Sequence, residues 1–408
     1  MNRSGTDSCY DSVDQDCNGT VDDGCRSYTE HCGTISASET WSGADVHVIT
    51  CDVGVAGSAA PVLKVEDGAT LEFNAGIAFS VGSSTWGGLV VEGDALGVTF
   101  TSADPTPAPG DWDGILVGSY ARAVSIDGAV VLYAGGTGHG GVYLDDNAGS
   151  GTGASITDSL IAYSATSGVH MSSGARADIT GTTVSDNTEY GLYLDDTSAL
   201  SRSGTASFTD NVVTANGYEP IYLSANHADT LDASSTYSGN GTDRLYVNGD
   251  TVDVDSTWQA LDVPWYIARD VTVQASTAPR LTIEPGTTVS FGRGAGLLVA
   301  SSNYGSLYAV GTATDDIVFT SGQASPAAGD WNGITIGTRD NGSTLQNTTV
   351  EYGGANAKGN VYFYSASSSS VVADSTIAYS SSWGIYRVSS TPTISNVAYL
   401  GNASGELY

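Results

Sequence analysis

The chain has 408 residues, 13 basic against 45 acidic side chains, a formal net charge of −32, 14% charged residues and 52 glycines. A surface this negative excludes nucleic acid, which is bound by lysines and arginines that displace counterions. It also makes pectin-like polyanions and anionic membranes poor partners, leaving cations, neutral glycans and proteins with a basic patch. Low charge with abundant Gly, Ser, Thr, Val and Tyr favours strands joined by tight turns, and no apolar run reaches the length of a transmembrane helix.

The first segment, residues 1–36, is rich in cysteine and aspartate. Cys9, Cys17, Cys25, Cys32 and Cys51 crowd into the start of the chain and none follow. Such a block points to disulfides, an oxidising compartment and a leader absent from this chain, and the odd count leaves one thiol over. From Asp14 the order is D-x-D-x-N-G, then five residues to Cys25. Alternate side chains can curl around one hard cation there, while Gly19 permits the sharp turn. Asp14, Asp16, Asn18 and Asp22 would give side-chain oxygens and Thr20 its carbonyl, with Asp23 standing in for the expected glutamate. Calcium is the ion these ligands suit. No C-x-x-C pair occurs, which argues against zinc. The segment resembles the cysteine/aspartate metal-binding (MopE-like) repeat of secreted bacterial proteins, with Ser12 in place of a glycine and Asn18 in place of an aspartate. It would also plug the first turn of whatever follows.

Residues 37–253 form a first block of short strand phrases: GVYLDD at 141–146, GVHM at 168–171, GLYLDD at 191–196, PIYL at 220–223, RLYV at 244–247 and, just past the block, PWYI at 264–267. Their starts lie 20 to 29 residues apart, a solenoid period. In a strand the side chains alternate, so the aliphatics take one face and the ring between them takes the other. Tyr143, His170, Tyr193, Tyr222, Tyr246 and Tyr266 are therefore expected to stack as an outward ladder. Strand propensity and ring packing account for such a ladder, and so does a strip for glycan or partner binding.

The second block, residues 254–408, repeats the first at an offset of about 218: ETWSGADV against STWQALDV, GDWDGILVG against GDWNGITIG, DSLIAYS against DSTIAYS. Trp112 and Trp331 hold matching places and read as packing residues. Further phrases, NVYF, GIYR and GELY, carry the period to the end. The whole is all-β, with two or three short strands per coil stacked in parallel. The phrases GDW-x-GI and V-x-YGG, the latter at Val350, Tyr352, Gly353 and Gly354, resemble those of bacterial surface proteins built as right-handed parallel β-helices. That resemblance spans about residues 37 to 408 and implies the fold; the same fold hosts lyases, hydrolases, adhesins and plain scaffolds.

Catalytic candidates are few. Asp145 and Asp195 open acidic pairs two coils apart, and Gly138-His139-Gly140 resembles the GHG of polygalacturonases. In that family an aspartate pair precedes the histidine and an R-I-K motif follows, whereas here the order is reversed and R-I-K is absent. Lyase chemistry wants an arginine or lysine base beside bound calcium, and no arginine falls in such a setting. The expectation is thus a non-catalytic extracellular or cell-surface scaffold or adhesin with a calcium-loaded amino end. Its partners would be a glycan, a protein or further copies joined end to end as fibres. A polysaccharide hydrolase or lyase, or a glycan-binding module, is the alternative.

Overall fold

The computed structural model describes residues 27–95, 97–146, 153–201 and 208–408. Throughout them the expected alternation governs: strands of two to six residues predominate, burying every second side chain, as in Val142–Asp145, Val169–Ser172 and Leu192–Leu194. Strand pairs are parallel and join each coil to the next, giving a parallel β-solenoid of about 14 turns. Helix is almost absent; a 3-10 turn spans Ala225–Thr230.

Each coil visits three faces. The ladder face runs without a break from Ala78–Val81 through Gly114–Val117, the six phrase strands and Thr288–Phe291 to Ile317–Ser321. The next face along the chain is a seven-stranded sheet from Glu39–Trp41 to Phe208–Thr209, and then a second seven-stranded sheet from Asp250–Val252 to Gly405–Leu407. The 3-10 turn falls between these two sheets. The third face carries strands such as Leu160–Ala162 and, later, Arg280–Ile283.

The duplicated blocks do not superpose coil on coil. Ala78–Val81 lies on the ladder face, whereas its counterpart Gly296–Val299 lies on the seven-stranded face. Likewise Gly114–Val117 is a ladder strand but its counterpart Gly333–Ile336 is not. The second copy has turned one face further round the same spiral. NVYF, GIYR and GELY therefore stack on the seven-stranded face, where Tyr362, Tyr386 and Tyr408 make a short row of their own, separate from the ladder. Across residues 253 and 254 the ladder strands Leu245–Val247 and Trp265–Ile267 pair directly, so the spiral is continuous between the blocks.

One apolar core fills it from Trp41 to Ile385. Trp112 stacks on Phe73 at 4.0 Å and Trp331 on Phe291 at 3.9 Å; each indole N–H donates to a carbonyl, of Leu132 and Glu351 respectively. A core residue such as Leu194, wholly buried, contributes about 1.5–3 kcal/mol of transfer energy. Where the third face turns into the ladder face, a column of buried amides satisfies the backbone. Asn187 Nδ2 donates to Asn216 Oδ1 and Asn216 Nδ2 to Asn240 Oδ1, both at 2.9 Å, while the same amides donate to main-chain carbonyls of the preceding coil, those of Ile161, Val184 and Val213. The glycine that opens the phrase follows from this crowding. A Cβ on Gly168 would stand 2.4 Å from Val184 Cγ1, and on Gly191 2.3 Å from Val213 Cγ1.

The disulfide Cys32–Cys51 ties the first strand, Ser27–Ile35, to the long strand Asp45–Val55 that it pairs with. Cys9, Cys17 and Cys25 lie outside the described residues, as do the proposed cation ligands Asp14, Asp16, Asn18, Thr20, Asp22 and Asp23.

Candidate functional site

Parallel register puts the six phrase rings directly opposite one another in sequence: Tyr143, His170, Tyr193, Tyr222, Tyr246, Tyr266. All six point away from the core and are half-buried against each other. Their contact geometry divides the row in two. At its start the rings cross edge to face, Tyr143 to His170 at 5.3 Å and His170 to Tyr193 at 4.8 Å. In the middle they lie nearly flat, Tyr193 on Tyr222 at 4.6 Å and 17°, and Tyr222 on Tyr246 at 5.0 Å and 14°. Tyr266 is tilted, with the Arg244 guanidinium 3.6 Å above its centroid and Glu219 fixing that arginine in turn.

This geometry changes what the strip offers. Flat stacking consumes the π-faces of the central rings, so a sugar cannot stack on them. Their rims and hydroxyls remain. Burial raises the Tyr222 phenol well above its ordinary value, the nearby Tyr193 and the Asp196 charge adding to it and Arg269 opposing. Tyr246 is raised by burial too, and Tyr190, packed beside Tyr193 and Tyr222, is pushed up to about 12. These phenols therefore stay neutral, able both to donate and to accept, about one coil spacing apart.

The row has definite ends. Preceding Tyr143 in register are Leu116, Ser80 and Gly54; beyond Tyr266 come Ser290 and Thr320. Gly292 and Gly322 make room for the Tyr266 ring, since a Cβ on the first would lie 2.9 Å from its hydroxyl and on the second 2.5 Å from its edge.

At the foot of the row a cleft of about 180 Å³ brings together His139, Tyr143 and Asp145 with Ser80 and Leu116. His139 packs on Tyr143 at 4.5 Å and hydrogen-bonds Thr137. Tyr143 and Asp145 share Ser172 Oγ, at 2.8 and 3.3 Å. Among the described residues no arginine or lysine lines it. Asp195 does not join this group. Its oxygens accept backbone N–H bonds from Ser173, Thr197 and Ser198, closing a turn. Burial acts to raise its carboxyl, but hydrogen bonds from Ser198, Ser173 and Thr197 outweigh it and hold the group below the usual range. A carboxylate so engaged is a poor proton donor. His170 is held below its ordinary value by burial and by His139, so it stands neutral in the row.

Two further groupings escape a reading of the sequence. One is a larger cleft, about 530 Å³, beside Tyr222 and Tyr246, lined by turn residues that include Asp196, Arg269 and Arg293. The other lies at the amino end of the described solenoid, where His31 Nε2 and His47 Nδ1, on paired strands, meet at 2.9 Å and both rings stack on Trp41. Each joins residues from different coils, and no spacing rule for metals or catalytic motifs covers them. Among the described residues no group of three His, Cys, Asp or Glu is arranged to hold a metal, and no helix is long and apolar enough to cross a membrane.

Residues 249–365 match the family model described as a pectate-lyase like beta helix domain. The comparison with curated proteins gave no match.

Proposed function

We propose that the chain is a non-catalytic β-solenoid scaffold, secreted or displayed at a cell surface, that holds a neutral glycan along its phenol row. The observation that carries this reading is the aligned, mutually stacked series Tyr193, Tyr222 and Tyr246 on the outer side of a rigid frame. Rigid rings lose little entropy on binding, and a net charge of −32 disfavours acidic polymers. The disulfide supports an oxidising compartment. A glycan array tests it: hits are expected among neutral glycans, and an array without any neutral hit defeats the proposal.

On sequence pattern alone, the block from Asp14 to Asp23 is proposed to bind Ca²⁺. Chelator should then lower the melting temperature of the amino-terminal region, and an unchanged melt removes the ion from the account.

A polysaccharide-active enzyme is the second reading, favoured by the cleft that unites His139, Tyr143 and Asp145. Turnover of any glycan in a polysaccharide panel, abolished by Asp145→Asn, would put it first.

A further inference from the structure

The larger cleft deepens the glycan reading, on which it rests. It is formed by turns that leave ladder strands, so Asp196, Asn248, Arg269 and Arg293 come from four different coils, the coil of Ile221–Leu223 lying between the first two, with Asp250 and Asp270 beside them. Cleft and row are contiguous. Gly292, which makes room for the Tyr266 hydroxyl, is followed at once by Arg293. The charges of Asp196 and Arg269 both act on the Tyr222 phenol, and Arg269 acts on Tyr246 as well.

Most of the polar groups here are engaged with one another or with side chains of neighbouring turns. Asn248 donates to Asp196 at 3.3 Å and Ser224 to Asp250 at 3.0 Å, while Arg293 pairs with Asp330 at 3.7 Å. Among the described residues Arg269 forms no hydrogen bond or ion pair, and it lines the cleft with its five N–H donors unengaged. Each carboxylate keeps lone pairs beyond these bonds. Donor and acceptor thus stand side by side in a concave space of the size that small ligands occupy. Three carboxylates against two guanidiniums leave the cleft acidic, which repels a uronate and suits an uncharged ring bearing vicinal hydroxyls.

We infer that this cleft is a recognition pocket for one uncharged sugar unit, held between Arg269 and Asp196, of a glycan whose next units follow the phenol row. Calorimetric titration with a short linear neutral glucan and with a polygalacturonate of equal length, at physiological salt, tests it in the wild type and two variants, Arg269→Ala and Tyr193→Phe. The neutral glucan should bind more tightly than the uronate, and Arg269→Ala should weaken it by about tenfold, the loss expected for charge-assisted hydrogen bonds. If Arg269→Ala binds as well as wild type while Tyr193→Phe is weakened, the pocket is refuted and the phenol row stands. Tighter binding of the uronate overturns the assigned class. No binding of either sugar removes the pocket together with the glycan reading.

Discussion

His31 and His47 illustrate how single side chains are tuned by the coil they sit in. His47 is buried, and its Nε2–H donates to the Ser42 carbonyl at 3.1 Å, which leaves Nδ1 to accept from His31. A proton added to His47 Nδ1 would abolish that bond, whereas His31 can take one on its Nδ1 and still donate. Burial, reinforced by the His47 charge and only partly offset by Glu39, lowers His31 to about 4 from 6.5. Between these values the unfolded chain binds the proton that the folded chain refuses, so stability is complete above pH 6.5, falls as pH drops and levels off below about 4. Because the ring is half-exposed, solvent screening trims the effect to on the order of 1 kcal/mol. Melting of the wild type should fall through this window, and His31→Gln should flatten the fall; an equal pH dependence in both would refute the pairing. None of this was legible beforehand, since the two histidines are separated by 16 residues and meet only when the strands Ser27–Ile35 and Asp45–Val55 pair.

At the level of the strand and its turns, the phrase with a ring between aliphatics was readable because a period of two separates core from solvent whatever the coil length. The glycine and the asparagine that frame it needed the third dimension. Asn187, Asn216 and Asn240 each stand four residues before a phrase, as Ser164 does, and this spacing was the signal available. The buried amides bond main-chain groups of neighbouring coils, so Asn216→Ala strands several polar partners at once. About 2–3 kcal/mol of stability should be lost, the cost of leaving buried donors and acceptors unmet. Denaturant melts check it, and a loss below half a kcal/mol would mean water replaces the amide. The catalytic candidates were separated by similar local detail. Asp195 looked like Asp145 in sequence, yet it spends its oxygens on Ser173, Thr197 and Ser198. Asp195→Ala is therefore expected to loosen that turn and lower the melting temperature, whereas a stability equal to wild type would show those bonds to be incidental.

For the whole molecule, parallel coiling and the repeat itself were evident from self-similarity at two scales. The phase between the copies was not. An offset of about 218 residues does not fix a whole number of coils when register partners on adjacent coils lie from 20 residues apart (Leu245 and Trp265) to 37 (Gly296 and Gly333), and here the second copy begins one face further round. That displacement confines the aromatic row to six coils, since the phrases of the second copy fall on another face. It also leaves small residues, Ser290 and Thr320, where the row would have continued. The spiral thus supplies a rigid frame, the alternation turns the rings outward, and flat stacking leaves hydroxyls as the available chemistry. The most direct test is calorimetric binding of a neutral linear glycan to the triple variant Tyr193→Phe, Tyr222→Phe, Tyr246→Phe, which keeps the stacked rings and deletes three hydroxyls. An unchanged melting temperature with binding abolished is the predicted result; an isotherm identical to that of the wild type would contradict the account.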